Sequence, residues 1–216
     1  MSDKPIIGTL NEKSVHAFLK SRFEQYSDSH EIRVGRFIAD IVGENGIIEI
    51  QTGAFENLKK KLEAFLSVGR VTIVYPVVIK TTIYNVETKR KYASPKKKNK
   101  FSFLSEAYKI REFLQNENLH FVLVLLTVIE NRSGKGREAV KLNRLPNEII
   151  DEITLNSLDD WRIFTDGLPE IFSQKDFSAH SGLFGMYAWG ALQTLLSLGL
   201  AAETDKKGRT KQYKIC

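Results

Sequence analysis

A mixed α/β fold followed by a small helical unit is what this sequence predicts, and three observations predict it. Helical and strand patterns alternate through the first two thirds in the order α-β-β-β-α-β. The most apolar stretch, Leu119 to Ile129, is short and ends in Glu130-Asn131-Arg132, as a buried strand does. From about Leu155 the character changes to three helical segments followed by strand, basic turn and strand. The expected architecture is a mixed sheet flanked by helices over residues 1–154, and a separate small domain over residues 155–216.

Each element has its own signal. Thr9-Leu10-Asn11-Glu12 has a capping-box pattern, and Val15, Phe18, Leu19 and Phe23 recur at helical spacing, so a helix is predicted over about residues 11–26. Ile32, Val34 and Arg36 to Val42 are rich in β-formers. Gly43-Glu44-Asn45-Gly46 reads as a turn and Ile47 to Gln51 as the returning strand, broken at Thr52-Gly53. Phe55, Leu58, Leu62, Phe65 and Leu66 mark an amphipathic helix bearing Lys59, Lys60 and Lys61. Val71 to Tyr75 is an apolar strand closed by Pro76, Lys80 to Val86 an edge strand, Leu104 to Leu114 a helix and His120 to Ile129 a buried strand. Ser133-Gly134-Lys135-Gly136 opens a polar connector, and Asn143 to Leu155 leads into the last unit. There Trp161 to Phe172 reads as helical despite Gly167 and Pro169. Ser173 to Phe177 begins a second helix, and Tyr187 to Leu198 forms a third that Gly199 ends. Leu200 to Thr204 and Lys211 to Ile215 flank the basic turn.

Composition narrows the function classes. With 42% hydrophobic and 27% charged residues the chain has the balance of a soluble globular protein. Cys216 is the lone cysteine, which excludes a disulfide framework and a cysteine-based zinc site. The Leu119 to Ile129 run is too short to span a bilayer, and Met1 to Pro5 lacks the apolar core of a signal peptide. A soluble, cytoplasmic protein without a membrane partner is expected. The formal net charge of +6 favours polyanionic partners. Lys89, Arg90, Lys91, Lys96, Lys97, Lys98 and Lys100 crowd one stretch, either as a solvated loop or as a phosphate-binding one.

The candidate chemistry lies on the first hairpin. Cleaving a phosphodiester needs an activated water and neutralisation of charge building on the phosphorus and leaving oxygen. A hard divalent cation does both and prefers oxygen ligands. Facing residues on antiparallel strands lie about 4.5–5.5 Å apart, close enough to share one cation. Asp40 and Glu49 flank the Gly43–Gly46 turn and can meet this way, with the Ile50 carbonyl as a further ligand. Alternation puts Glu49 and Gln51 on one side of the strand and Ile48 and Ile50 on the other.

This hairpin resembles the PD-(D/E)XK, or restriction-endonuclease-like, superfamily of nucleases. Asp40 matches the first acid, Glu49 the second, Gln51 the lysine position, and Glu12 on the preceding helix the optional acid. The resemblance covers roughly Thr9 to Asn131 by element order. It implies a restriction-endonuclease-like sheet, a Mg²⁺ (or Mn²⁺) cofactor, catalytic Asp40, Glu49, Gln51 and Glu12, and hydrolysis of double-stranded DNA. Gln51 departs from the pattern: a neutral amide orients water but stabilises negative charge less well than lysine. Lys60 or Lys61, one helix later, offers the missing charge, and Lys60 is also a candidate nucleic-acid contact. His16, one turn after Glu12, reads as a proton shuttle, a DNA contact or a structural histidine. Lys96 and Lys97, beside Ser94-Pro95, are candidate phosphate contacts.

The last unit resembles a winged helix-turn-helix. The phrase Leu195-Leu196-Ser197-Leu198-Gly199-Leu200, then Lys206-Lys207-Gly208-Arg209 and Tyr213, carries the resemblance. It implies a recognition helix, with Gln193 and Thr194 as its best reading groups, and a wing gripping the backbone through Lys206, Lys207 and Arg209. Four readings stay open at this point: a DNA nuclease, with a homodimer suiting two-strand cleavage; a non-catalytic DNA-binding regulator on a decayed nuclease fold; an RNA-processing nuclease; and a protein-interaction or dimerisation adaptor.

Overall fold

In the computed structural model, which describes residues 15–216, a helix α1 (Val15–Phe23) precedes three antiparallel strands, β1 (His30–Val34), β2 (Phe37–Gly43) and β3 (Gly46–Ile50). The β2–β3 turn is tight because Gly46 takes φ +93°, and a Cβ there would lie 2.4 Å from the Arg70 carbonyl oxygen. A 3-10 turn (Phe55–Leu58) and helix α2 (Lys59–Leu66) cross over to β4 (Val71–Asn85), which runs parallel to β3. β5 (Lys91–Ala93) folds back onto β4, and α3 (Ser102–Ala107) continues as a 3-10 helix to Phe113. β6 (Leu119–Ser133) lies parallel to β4, and β7 (Val140–Leu155) closes the sheet antiparallel to β6. The seven strands form one mixed sheet in the order β1-β2-β3-β4-β6-β7, with β5 attached to β4.

Alternation along β4 splits the core into two layers. On one side α1 packs Val15 and Leu19 against Ile41, Ile50, Val74 and Val124. On the other, Leu62 and Phe65 of α2 and Phe103 and Leu104 of α3 cover Ile73, Tyr75 and Phe121.

Two strand expectations change. Val71–Tyr75 and Lys80–Val86 belong to one strand of 15 residues, and Pro76 does not close it. The Gln51 N–H donates to the Val74 carbonyl at 2.9 Å across the β3 edge. Two residues on, Pro76 turns its missing N–H toward that same edge, just past the end of β3, where no ladder bond is lost. The Lys80–Val86 half is not a free edge either, since it lies between β5 and β6. The polar connector after Ser133 is a hairpin into a 16-residue strand. That strand, β7, sits at the sheet edge with Lys141, Glu148, Asp151 and Glu152 along it, which dilutes its apolar alternation and guards the edge.

The C-terminal unit begins with a 3-10 helix (Leu158–Phe164) held by a reciprocal Ser157–Asp160 cap. The helix expected over Trp161 to Phe172 stops there, because Gly167 (φ +83°) and Pro169 break it. Ile171 and Phe172 instead pair with the last strand as β8 (Ile171–Ser173). α4 (Gln174–Ser181), α5 (Gly185–Ser197), β9 (Ala201–Lys207) and β10 (Thr210–Ile215) follow, giving a three-stranded sheet in the order β8-β10-β9. One apolar cluster runs from Phe103 and Phe121 of the large sheet's layer through Trp161 and Phe164 to Phe177, Ala191 and Tyr213. α5 lies against α3 at Gly190, where an added Cβ would meet Ser105 at an ordinary contact distance of 3.8 Å. Among the described residues no helix is long and apolar enough to cross a membrane.

Candidate metal and nucleic-acid site

The register of the first hairpin brings Asp40 opposite Glu49. Ile41 and Ile48 are its last paired residues on the side away from the turn. One step further the ladder stops and side-chain oxygens take over the released amides. The Ile50 N–H donates to Asp40 Oδ2 at 2.8 Å, and the Asp40 N–H donates to Glu49 Oε1 at 3.3 Å. Ile48 and Ile50 face the α1-side layer, as alternation predicts. Glu49 faces α2, where Lys61 Nζ donates to both its oxygens at 2.9 and 3.0 Å. Asp40 leans toward α1, with His16 Nε2 3.2 Å from Oδ2 and Lys20 Nζ 3.7 Å from Oδ1. The carboxylates therefore occupy the opening between two parting strands, each held from a different helix.

Their surroundings separate their titration. Burial pushes the Asp40 carboxyl up, but the His16 bond, the Ile50 amide and the positive charges of His16 and Lys20 outweigh it, so the group sits below its ordinary 3.8. Glu49 is 3% exposed. There burial, reinforced by the Asp40 charge, outweighs the Lys61 ammonium, and the carboxyl rises above its ordinary 4.5. The two carboxyls are thus driven in opposite directions.

The other sequence candidates are dispersed. Glu12 lies outside the described residues. The Gln51 side-chain amide donates to the Gly53 carbonyl and, at 3.4 Å, to that of Ala54, so it is folded onto its own loop. The cation beside Glu49 comes from Lys61, whereas Lys60 is exposed. Gln193 is half-buried on α5. Thr194, named with it as a reading group, is fully buried and donates to the Leu104 carbonyl at 2.8 Å, so it is not available for base contacts. Lys206, Lys207 and Arg209 are exposed around the β9–β10 turn. Among the described residues no three His, Cys, Asp or Glu side chains gather as a metal cluster.

A cleft of about 930 Å³ opens beside His16, on the stretch of β4 edge between the end of β3 and the start of β5. Of the predicted basic contacts, Lys96 lines it with Ser94 and Pro95, while Lys97 is exposed outside the lining. Lys98, Arg132, Lys141 and Arg144 also line it, with Glu130 the one lining carboxylate among the described residues. Sequence reasoning missed these last groups except as part of the basic run, because they come from three separate strands and loops.

The fold and this acidic opening define a mixed α/β protein with a carboxylate pair held between two helices. Residues 13–163 match the family described as "Domain of unknown function (DUF8091)", and the chain belongs to it. It is 31% identical over 222 residues to a Treponema pallidum (strain Nichols) protein described as "Uncharacterized protein", an alignment covering 96% of this chain and 87% of that one. No solved structure matches the chain significantly.

Proposed function

We propose that this protein is a divalent-metal-dependent nuclease of the PD-(D/E)XK kind, acting on DNA, with a winged-helix unit that helps hold the nucleic acid. The observation that carries this is the meeting of Asp40, Glu49 and Lys61 where β2 and β3 part. The order α1-β1-β2-β3-α2-β4, antiparallel through β3 and parallel at β4, supports the restriction-endonuclease-like reading. The succession 3-10 helix, β8, α4, α5, β9, β10 and the sheet order β8-β10-β9 support the winged-helix reading.

The donor set fits a hard cation. Among the described residues Asp40 Oδ1 has Lys20 Nζ at 3.7 Å, too long for a hydrogen bond. The N–H and C=O of a strand residue share an edge, so the Ile50 amide that reaches Asp40 puts the Ile50 carbonyl on the same side. Asp40, Glu49 and the Ile50 carbonyl would hold Mg²⁺ or Mn²⁺, which when bound would activate water and offset charge on the phosphate. Lys61 supplies the positive charge that Gln51 lacks, from the next helix. His16 touches Asp40 and lines the cleft, so it is placed to hold or pass a proton between them. α5 carries no charged side chain and packs on α3, so the C-terminal unit engages phosphates through Lys206, Lys207 and Arg209 rather than through Gln193.

The test is cleavage of plasmid DNA with Mg²⁺ or Mn²⁺ added. Asp40→Ala and Glu49→Ala are expected to remove it while leaving duplex binding in EDTA intact. Equal cleavage by the wild type and both variants, or salt-sensitive DNA binding with no cleavage in either metal, overturns the proposal.

A further inference from the structure

We infer that the cleft beside His16 seats an unpaired strand, so that the nucleic acid is single-stranded where it meets the carboxylates. The inference deepens the nuclease reading and rests on it for the cutting step, though not for the binding.

The cleft is a notch in the sheet. β3 leaves the β4 edge at Val74, and β5 joins it only at Thr82. Its charge is unbalanced. Glu130 is satisfied by Arg132 at 2.6 Å and lies 3.8 Å from Lys141. Lys98 and Arg144 both line the cleft and feel each other's charge, and the carboxylate that offsets Lys98, Glu106, is not among the lining residues. Arg144 donates to Thr81 Oγ1 at 3.0 Å, and its buried Nε meets no acceptor among the described residues. Like charges held together in this way call for an external anion, and a phosphodiester is one.

The rest of the lining decides which form of nucleic acid. Val78, Ile83 and Pro95 give the cleft apolar surface, and Tyr92, 51% exposed, stands over it. A duplex keeps its bases stacked inside and offers mostly phosphates, so it gains nothing from such a wall. An unpaired strand gains from both, its phosphates on the cations and its bases on the aromatic face. A volume of about 930 Å³ holds a short run of unpaired nucleotides and not a double helix.

The test measures binding in EDTA, by fluorescence anisotropy, of a labelled ten-nucleotide oligodeoxynucleotide and of the blunt duplex of the same sequence, with the full chain. The single strand is expected to bind about tenfold tighter than the duplex at equal salt. Tyr92→Ala is expected to weaken single-strand binding about tenfold, Tyr92→Phe to restore it, and Arg144→Gln to weaken it with a shallower salt dependence. Tyr92 is exposed enough that its variants test the idea even if Arg144→Gln fails to fold. Equal or tighter duplex binding, or full single-strand affinity in Tyr92→Ala, overturns the inference. Single-strand binding that survives when no metal supports cleavage would sink the nuclease and leave the cleft standing; Asp40-dependent cleavage of blunt duplex without single-strand preference would do the reverse.

Discussion

Replacing Lys61 with methionine isolates the interaction on which the site depends. Glu49 is 3% exposed and both its oxygens accept from Lys61 Nζ. Methionine keeps the length of the side chain and removes the charge, leaving a buried carboxylate opposed, among the described residues, by the Asp40 amide at 3.3 Å. Removing one partner of a fully buried pair costs about 3–5 kcal/mol. Lys61 is 29% exposed at its side chain, so water replaces part of the lost contact and about 2–3 kcal/mol is the expected loss. In a chain of this length that lowers Tm by roughly 5–10 °C. The loss must also depend on pH. Glu49 already has a folded pKa above its ordinary 4.5, and removing the ammonium raises it further. A group raised on folding adds stability below its unfolded pKa and forfeits it as pH climbs through the folded value. Lys61→Met should therefore be weakest at about pH 7–8 and approach the wild type toward pH 4.5 as Glu49 takes up its proton. Urea titrations across that range measure this. A destabilisation that does not vary with pH, or one that Glu49→Gln fails to relieve in the double variant, would refute the reasoning.

Three further outcomes are expected. Gln51→Ala should leave metal-dependent cleavage within a few-fold of wild type, whereas Lys61→Met should cut it about 10²–10³-fold, because the charge comes from Lys61 and the Gln51 amide is spent on its loop; single-turnover rates decide. Gly46→Ala should destabilise by at least about 2 kcal/mol, since it combines φ +93° with a Cβ 2.4 Å from the Arg70 oxygen; an unchanged urea midpoint would count against the tight β2–β3 turn. Neutralising Lys206, Lys207 and Arg209 together with glutamine should flatten the log–log salt dependence of duplex binding by up to about 2.7, at roughly 0.9 per phosphate contact. An unchanged slope would remove the wing from the interface.

How much of this is legible in the sequence depends on how local each feature is. That Asp40 lies level with Glu49 is legible because a glycine-bounded turn sets the register; that the two carboxylates are then held from helices on opposite sides of the sheet is not, since alternation alone would put both on one face. Lys61 is half legible. Three consecutive lysines follow Glu49 at one helix's remove, but which of them turns inward depends on how Leu58, Leu62 and Phe65 seat α2 on the sheet. β7 is hidden, since an edge strand needs apolar residues on one face only and this one carries charges along its length. Pro76 misleads because a proline in an apolar run reads as an end, and only the early stop of β3 makes it harmless within β4. The burial of Thr194 is invisible because it arises from α3, some ninety residues away in the chain. The cleft needs Tyr92, Arg132 and Arg144 to converge, and no spacing in the sequence encodes that.

One interruption of the sheet accounts for both the acidic opening and the cleft. β3 ends at Ile50, and the chain turns away through Thr52-Gly53. That departure releases the Ile50 amide to Asp40 instead of to a backbone carbonyl of β2, which draws the Asp40 carboxylate into the gap. The same departure leaves the β4 edge unpaired from Pro76 until Thr81, whose carbonyl accepts from the Ser94 N–H at 2.8 Å, and a proline is tolerated in this stretch, where the cleft has its floor. His16 borders both, touching Asp40 on one side and lining the cleft on the other. Extending β3 by one paired residue beyond Val74 would require a donor at position 76, which proline lacks. Pro76 thus keeps the sheet open between the carboxylates and the basic wall of the cleft.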